Sequence, residues 1–255
     1  MMPRMIILIT GATAGFGLAI ARRFGGESNR IIAVGRRKDR LDALVKELGA
    51  NAVHPIVLDV RDRAGVASAV AALPPELAAI DLLVNNAGLA LGLAPAYQAS
   101  LDDWDTMVDT NIKGLMYMTR AVLPGMVARD RGHIVNLGSI AGAHAYPGGN
   151  AYGGTKAFVR QFSMNLRADL LGSRVRVTSV EPGMVGGSEF SLVRFGGDKE
   201  KVEKLYKGAD PLTPEDVAEA VYWVATLPAR VNINIIEMMP VTQTFGPLPV
   251  HRYST

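Results

Sequence analysis

Short apolar runs alternate with helix-length segments along the sequence, and this alternation constrains the fold more than any other feature. Several runs are nearly continuous Ile, Val and Leu, as expected for parallel strands covered on both faces. The predicted strands are Met5–Ile9, Arg30–Val34, Ala52–Leu58, Ile80–Val84, His133–Leu137, Arg174–Val180 and Ile233–Met238. The predicted helices are Gly15–Phe24, Lys38–Leu48, Arg61–Leu73, Leu101–Arg129, Asn150–Leu171 and Pro214–Thr226. Right-handed crossovers between such elements predict an α/β fold, with a doubly wound parallel sheet of seven strands and helices on both faces.

The length and one irregular stretch set the domain organisation. The chain has 255 residues, 49% of them hydrophobic, which suits one compact domain over residues 1–255. The stretch from Gly183 to Asp210 breaks the alternation, because it is glycine-rich, charged and weakly periodic. A long irregular insertion in a compact domain is often a lid or substrate loop, and a mobile surface loop is the alternative.

Composition excludes several classes of function. Lys plus Arg is 27 and Asp plus Glu is 24, so the net charge is +3 and no nucleic-acid partner is expected. The chain has 0 cysteines, which excludes disulfides, thiolate nucleophiles and Cys-type zinc sites and fits a reducing cytoplasm. The histidines are far apart and lack metal-binding spacing, so no metal is expected. They are His54, His133, His144 and His251.

The apolar N-terminal stretch superficially resembles a secretory leader. It is interrupted by the glycine-containing segment 10–17, which the core of a leader does not need, so we expect no leader here. No other segment approaches the roughly 20 apolar residues of a membrane span. We therefore expect a cytoplasmic protein without a membrane partner.

A glycine-rich turn joins the first predicted strand to the first predicted helix. Its sequence, Thr10–Gly17, reads TGATAGFG. Glycines permit a tight turn and let backbone N–H groups approach a pyrophosphate, and the helix N-terminus adds positive potential. The order of strand, glycine turn and helix predicts a Rossmann-type dinucleotide site.

Two arginines stand where the cofactor's adenosine ribose is expected. A carboxylate about 20 residues after the glycine turn binds the ribose hydroxyls of NAD. Here the second strand ends in Arg36 and Arg37, and no acidic residue stands at its tip. Guanidinium groups suit bidentate phosphate binding, so a 2′-phosphate, and hence NADP, is favoured. Nearby Asp39 is interpreted as a helix cap, and a solvated arginine pair is the alternative.

Polar residues also follow the third and fourth predicted strands. Asp59 and Val60 end the third strand, where an adenine would lie. The fourth strand ends in Asn85, Asn86, Ala87 and Gly88. Carboxyl ends of parallel strands form the ligand crevice of such a sheet, where Asn side chains can tie adjacent loops together. The Ala-Gly pair leaves room for a ribose, and a mere turn is the alternative.

Tyr152 and Lys156 are four residues apart at the start of a predicted helix and therefore share a face. A free phenol has a pKa of about 10, and a neighbouring ammonium would lower it toward the range useful for proton transfer. Ser139 follows the fifth strand at the same sheet edge, where its hydroxyl could bond the reacting oxygen. Asn111 lies in the long predicted helix, where a buried amide could hold an ordered water. Tyr-x-x-x-Lys alone is weak evidence for an active site, since any helix can contain it. Its combination with the glycine turn, Asn-Asn-Ala-Gly and the upstream serine makes the signal specific.

Together these motifs resemble the short-chain dehydrogenases/reductases over nearly the whole chain. The motifs are Gly11-x-x-x-Gly15-x-Gly17, Asn85-Asn86-Ala87-Gly88, Asn111, Ser139, Tyr152-x-x-x-Lys156 and Pro182-Gly183. Phe16 stands where many relatives carry Ile. Ala14 stands where some NADP-dependent relatives carry a basic residue, which leaves most of the 2′-phosphate contact to Arg36 and Arg37.

The resemblance implies a role for each motif. Tyr152 is the general acid in reduction and the base in oxidation, Lys156 lowers its pKa and binds the nicotinamide ribose, and Ser139 orients the substrate oxygen. Asn111 supports a water-linked proton relay, and Val185 faces the cofactor carboxamide. The implied NADP-binding residues are Gly11, Ala12, Thr13, Ala14, Gly15, Phe16, Gly17, Arg36, Arg37, Asp59, Val60, Asn86, Gly88, Tyr152, Lys156, Pro182, Gly183, Val185 and Phe190. The resemblance also implies a homotetramer.

The implied reaction is hydride transfer between NADP and a small 3-hydroxy acid of the serine, allo-threonine, 3-hydroxyisobutyrate or malonic semialdehyde class. Ser139, Tyr152 and Arg194 are the expected substrate residues, with Arg194 binding the carboxylate. A solvated Arg194 is the alternative. Two other functions stay open: a ketoreductase of acyl thioesters or of a broad carbonyl range, and a non-catalytic NADP-binding sensor.

Overall fold

A computed structural model describes residues 4–25 and 28–246, so both ends of the assigned domain (1–255) and His251 lie outside the described residues. One parallel sheet is formed by β1 (Ile6–Thr10), β2 (Arg30–Gly35), β3 (Val53–Val57), β4 (Leu82–Asn85), β5 (Gly132–Leu137), β6 (Val175–Pro182) and β7 (Ile235–Met238). Their order in the sheet is β3-β2-β1-β4-β5-β6-β7. The predicted fold class is confirmed. Because the chain turns to opposite sides of β1, the crevice between β1 and β4 at the carboxyl edge is the expected ligand site.

Helices cover both faces of this sheet. They are α1 (Gly15–Gly25), α2 (Lys38–Leu48), α3 (Arg63–Ala71), α4 (Leu101–Val108), α5 (Leu115–Ala128), α6 (Asn150–Asp169), α7 (Phe190–Arg194), α8 (Lys199–Tyr206) and α9 (Pro214–Thr226). The start of α9 matches its sequence signals, since Thr213 and Asp216 form a reciprocal capping box with Pro214 in the first turn. None of the helices in the described ranges is both long and apolar enough to span a membrane.

Alternate residues of β1 enter two different hydrophobic cores. Ile7 and Ile9 pack on one face with Phe24 of α1 and Val221 of α9. Leu8 points to the other face, where the core is completed by residues of α3, α5 and α6. This division explains why the strand reads as continuously apolar, because each successive side chain meets a different layer of helices.

The long helix predicted over Leu101–Arg129 is interrupted. Its middle turn, Asp109–Gly114, is π-helical and separates α4 from α5. A Cβ on Gly114 would lie 2.6 Å from the Cγ2 of Val60, so the chain passes unusually close to the loop after β3 at this point. π-helical turns often mark functional sites, and this one contains Asn111.

Two further expectations need correction. The stretch 183–210 is not irregular throughout, because it contains α7 and α8, and the second begins with an Asp198 side-chain cap. Both helices are too short to give a clear period. Asp39 does not cap α2: Arg37 occupies the N-cap position without a side-chain cap bond, and Asp39 lies in the first helical turn. A carboxylate there still complements the helix dipole.

Candidate active site

A cleft of about 670 Å³ opens at the carboxyl edge of the sheet. It contains most of the residues expected from the sequence, namely Gly11, Thr13, Ala14, Gly15, Phe16, Arg36, Arg37, Asp59, Val60, Asn86, Gly88, Ser139, Tyr152, Lys156, Pro182, Gly183, Val185, Phe190 and Arg194. Ala12, Gly17 and Asn111 do not line the cleft: all three are buried behind it. Its volume lies in the range of small-molecule and cofactor sites.

The glycine turn leaves an open cradle beside the N-terminus of α1. Gly11 and Gly15 adopt positive φ values of 67° and 50°, a conformation that costs glycine little. A Cβ on Gly17 would collide with the carbonyl oxygen of Gly11, so the turn closes against its own helix. The residues present therefore fit a pyrophosphate, which would meet backbone and the positive end of a helix rather than side chains.

Asn86 and Thr10 join this turn to the end of β4. The Asn86 amide donates to the backbone oxygens of Thr10 at 2.8 Å and Gly11 at 3.2 Å. The Thr10 hydroxyl accepts from the backbone nitrogens of Asn86 at 3.0 Å and Ala87 at 2.9 Å. The predicted tie between loops is present. The contribution of Thr10 was missed, because a Thr at the end of a strand has no distinctive sequence signal.

Asn111 is buried in the π-helical turn between α4 and α5. Its side chain is 2% exposed and joins the loop after β4 to α6, donating to the Leu89 oxygen at 2.9 Å and the Thr155 hydroxyl at 3.0 Å. Its Oδ1 accepts from the Leu89 nitrogen at 2.9 Å. The amide is therefore used in positioning these two elements, and α6 is the helix that carries Tyr152 and Lys156.

Tyr152 and Lys156 face the cleft from the first turns of α6. They are 8% and 7% exposed, and the Lys156 Nζ lies 5.8 Å from the centre of the Tyr152 ring. The ammonium donates to the Leu137 backbone oxygen at 2.7 Å, which anchors it to the end of β5. The pair expected from the four-residue spacing is therefore assembled inside the cleft.

The pKa values of this pair are displaced in opposite directions by burial. Burial raises the pKa of Tyr152 to about 12, while a hydrogen bond from Ser139 and the charge of Arg194 oppose the rise. Burial lowers the pKa of Lys156 to about 8. The expected net depression of the tyrosine pKa is absent, since desolvation of the phenolate exceeds the favourable interactions.

Ser139 stands at the end of β5, where it begins the short turn Ile140–Gly142. Its hydroxyl accepts from the Ala141 nitrogen at 3.2 Å and lies 3.5 Å from the Pro182 oxygen. Gly142 packs directly on α6, since a Cβ there would lie 2.7 Å from the Lys156 backbone carbon. The close approach fixes Ser139 relative to the tyrosine.

Two arginines flank the far end of the cleft. The Arg37 guanidinium donates to the Thr13 hydroxyl at 3.1 Å and to Glu189 at 2.8 Å. Arg36 is 65% exposed at its side chain and lies 4.0 Å from Asp59. Asp59 is bound mainly by Arg61, whose hydrogen bonds lower the pKa of that carboxyl. A guanidinium pair beside the glycine turn fits a phosphate on the adenosine ribose.

Arg194 reaches the tyrosine from α7. Its guanidinium carbon lies 5.4 Å from the centre of the Tyr152 ring. Its Nη2 donates to the Tyr146 hydroxyl at 2.8 Å, and its Nε donates to the Gly92 oxygen at 3.3 Å. The structure thus places this cation in the cleft rather than in open solvent, next to the catalytic candidate.

Several cleft residues were missed by the sequence reasoning. They include Leu89, Thr110, His144, Tyr146, Tyr206, Met239, Gln243, Thr244, Phe245 and Gly246. The last five belong to the segment after β7, and Gln243 Oε1 accepts from the Met184 nitrogen at 2.7 Å. No local sequence pattern predicts that this segment returns to the cleft.

Among the described residues, no group of His, Asp and Glu side chains could hold a metal ion.

Comparisons with known proteins agree with this geometry. A family model described as short chain dehydrogenase matches residues 5–192. The chain belongs to the short-chain dehydrogenase family. Within it, the chain is 65% identical over 248 residues to the NADP-dependent 3-hydroxy acid dehydrogenase YdfG of Salmonella typhimurium, covering 97% of this chain and 100% of the relative. It is 55% identical over 248 residues to a serine 3-dehydrogenase of Agrobacterium fabrum, covering 97% and 98%.

A solved short-chain dehydrogenase also superimposes closely on the structure. It is described as the closed form of serine dehydrogenase complexed with NADP+. Its TM-score is 0.96 at 63% identity, and the match covers 98% of this chain and 100% of that one. The family resemblance inferred from the sequence is thereby confirmed.

The pKa of Lys156 leads to a stability prediction for this short-chain dehydrogenase. Its folded-state pKa of about 8 lies below the ordinary 10.5, so the ammonium opposes folding below pH 8 and this opposition disappears as the pH rises toward 10.5. Lys156→Met should therefore be more stable than the parent protein. Its advantage in the free energy of unfolding should be up to about 3 kcal/mol larger at pH 7 than at pH 10. Urea unfolding of the ligand-free protein at both pH values measures this.

The exposed Lys204 of α8 supplies the matched control, since Lys204→Met removes the same charge from a solvated position. Its stability difference from the parent should be the same at both pH values. A pH-independent difference for Lys156→Met would contradict the assignment of a costly buried ammonium.

Proposed function

We propose that this protein is an NADP-dependent dehydrogenase/reductase of small 3-hydroxy acids, interconverting them with 3-oxo acids. The observation that carries the proposal is the buried Tyr152–Lys156 pair, which faces a cleft with arginines at both ends. Arg37 lies beside the glycine turn, and Arg194 lies over the tyrosine. The names of the relatives, which are NADP-dependent 3-hydroxy acid and serine dehydrogenases, support the same reaction.

The proposed NADP site extends from the glycine turn to the tyrosine. When bound, the nicotinamide supplies or accepts the hydride exchanged with the carbinol carbon. Arg36 and Arg37 would bind the 2′-phosphate, the turn Gly11–Phe16 would hold the pyrophosphate, and Asp59 with Val60 would face the adenine. Asn86 keeps the cradle closed from behind. The segment Pro182–Phe190 would cover the nicotinamide end, with Val185 facing the carboxamide.

The proton moves through Tyr152. Its phenol donates to the developing alkoxide in reduction and removes the hydroxyl proton in oxidation. Ser139 orients the substrate oxygen, and its hydrogen bond to Tyr152 opposes the effect of burial on the pKa of the phenol. Lys156, held by the Leu137 oxygen, presents its charge close to the ring. Asn111 supports the relay by fixing α6 against the loop after β4.

Arg194 would bind the carboxylate of the substrate. Its Nε and Nη2 are held by Gly92 and Tyr146, which fixes the plane of the guanidinium beside the tyrosine ring. A planar guanidinium is well suited to a carboxylate. The short distance between Arg194 and Tyr152 favours a small substrate, in which the carboxylate and the reacting carbon are separated by one carbon atom.

Assembly and location complete the proposal. We infer a homotetramer that packs through the α4–α5 segment and α6, whose surfaces include the exposed side chains of Leu101, Val127 and Met164. Phe158 and Phe162 stack on α6 with ring centres 5.5 Å apart, adding aromatic surface to the same helix. A cytoplasmic location is supported by the cysteine count of 0.

Removing the phenol hydroxyl tests the proton-transfer role. Tyr152→Phe should lower kcat for 3-hydroxy acid oxidation by about 10²- to 10⁴-fold, because the general acid–base is lost. The dissociation constant of NADPH, measured by fluorescence titration, should change little. Tyr117→Phe on α5 is the matched control, since it removes a phenol hydroxyl outside the cleft. Turnover by Tyr152→Phe at the parent rate would refute the assignment.

Removing the paired guanidiniums tests the choice of cofactor. Arg36→Ala combined with Arg37→Ala should raise KM for NADPH by about a hundredfold, since charge-assisted hydrogen bonds to phosphate are lost. KM for NADH should change far less. Steady-state assays with both cofactors give the comparison, and equal effects on the two would contradict a 2′-phosphate site.

Arg194→Gln tests recognition of the substrate carboxylate. The variant should lower kcat/KM for a 3-hydroxy acid by roughly tenfold to a hundredfold, the value of a hydrogen bond to a charged group. The uncharged methyl ester of the same acid should lose a smaller factor, because it loses only the effect of the Arg194 charge on the pKa of Tyr152. If acid and ester lost the same factor, a broad carbonyl reductase would be favoured over a 3-hydroxy acid enzyme.

A further inference from the structure

A carboxylate of this chain pairs with Arg37, one of the two arginines assigned to the cofactor phosphate, and with the neighbouring Arg40. Glu189 Oε2 accepts from Arg37 Nη1 at 2.8 Å, and Glu189 Oε1 accepts from Arg40 Nη2 at 2.6 Å. Each oxygen of the carboxylate therefore has its own guanidinium. The hydrogen bond from Arg40 has the largest effect and that from Arg37 the next, and they lower the pKa of Glu189 to about 2. The carboxylate is therefore fully ionised at neutral pH.

The same donors suit a phosphate monoester. Arginine presents a fork of N–H groups that matches carboxylate and phosphate oxygens alike, so the two anions compete for one set of donors. Arg37 is additionally fixed by the Thr13 hydroxyl, so it cannot easily turn away to serve a second anion elsewhere. Arg40 was not expected at this site, because it lies inside α2, one turn beyond the end of β2.

The three side chains remain accessible to an incoming ligand. Arg37, Arg40 and Glu189 are 41%, 39% and 42% exposed. Exposed ion pairs hold their partners weakly, by about 1 kcal/mol or less each. A doubly charged phosphate can therefore displace the carboxylate, although it must first compete with it.

We propose that Glu189 is a determinant of cofactor specificity: its carboxylate pairs with Arg37 and Arg40, and the 2′-phosphate of NADP must displace it from these guanidiniums. The inference rests on the proposed function in one respect, the assignment of Arg37 to that phosphate. It adds Arg40 as a further phosphate-binding residue. A cofactor that lacks the phosphate leaves Glu189 in place, and the carboxylate can then accept from its ribose hydroxyl.

The position of Glu189 connects this exchange to the substrate end of the cleft. The residue is the N-cap of α7, and the next residue, Phe190, packs edge-on against Tyr152 with ring centres 5.9 Å apart. The same helix ends at Arg194. Exchange of the carboxylate for phosphate thus changes the anchoring of the helix that carries the proposed substrate cation.

Glu189→Gln tests the competition directly. The amide keeps the size of the side chain but loses its charge, so the dissociation constant of NADPH should fall by about three- to tenfold, the range set by two exposed ion pairs. The dissociation constant of NADH should stay the same or rise. Fluorescence titration of each reduced cofactor into the full-length protein without substrate measures both values.

Glu200→Gln is the matched control, because it removes one negative charge from the first turn of α8 at a position outside the cleft. It should leave the NADPH dissociation constant within about twofold of the parent. Should Glu189→Gln prove poorly folded by thermal melting, Glu189→Ala replaces it with the same expected direction. An unchanged or weaker NADPH affinity, or a parallel gain for NADH, would overturn the proposal.

Arg40→Gln supplies the second half of a double-mutant cycle. The Arg40→Gln variant should bind NADPH more weakly than the parent. When Glu189→Gln is added to this variant, the increase in NADPH affinity should be smaller than in the parent, because the ion pair between Glu189 and Arg40 is already absent. An undiminished gain would overturn the part assigned to Arg40. Because these titrations contain no 3-hydroxy acid, their failure is distinguishable from failure of the proposed reaction, which appears only as lost turnover.

Discussion

The hydroxyl of Tyr152 and the ammonium of Lys156 are both withdrawn from water, so the protein disfavours the charged form of each. Because both groups are desolvated, the residues around them must be held in fixed positions for proton transfer to occur. A phenol with a pKa of about 12 transfers a proton at neutral pH only if hydrogen-bond donors and positive charge lie beside it and stabilise the phenolate. Ser139 and Arg194 supply them from β5 and α7, and their interactions with Tyr152 oppose the effect of burial.

Buried and partly buried hydrogen bonds hold the elements that meet at this pair. Lys156 is bound to the end of β5, Asn111 binds the loop after β4 to α6, and Asn86 binds the end of β4 to the glycine turn. An unsatisfied buried polar group costs about 1–3 kcal/mol, so each of these ties excludes alternative placements of its loop. The polar side chains at the sheet edge therefore hold the loops and α6 in fixed positions. Proton transfer at Tyr152 depends on these fixed positions.

The sequence was most informative where one local rule decides the structure. Apolar runs covered on both faces predicted all seven strands of the sheet, and the glycine turn predicted the site beside α1. It was least informative where distant contacts decide. The π-helical turn at Asp109–Gly114 depends on close packing against Val60, and the positions of Glu189 and Phe245 depend on how separate segments return to the cleft. The raised pKa of Tyr152 follows from burial, which spacing alone does not reveal.

The short helix α7 shows how such distant contacts join the two halves of the cleft. Five residues form too little helix to be stable alone, so α7 must be held at its ends. Glu189 anchors its start to Arg37 and Arg40, and Arg194 anchors its end to Tyr146 and Gly92. One anchor lies where a cofactor phosphate would bind, and the other lies beside the catalytic tyrosine. A change at either anchor therefore reaches the other through a segment that has little independent stability.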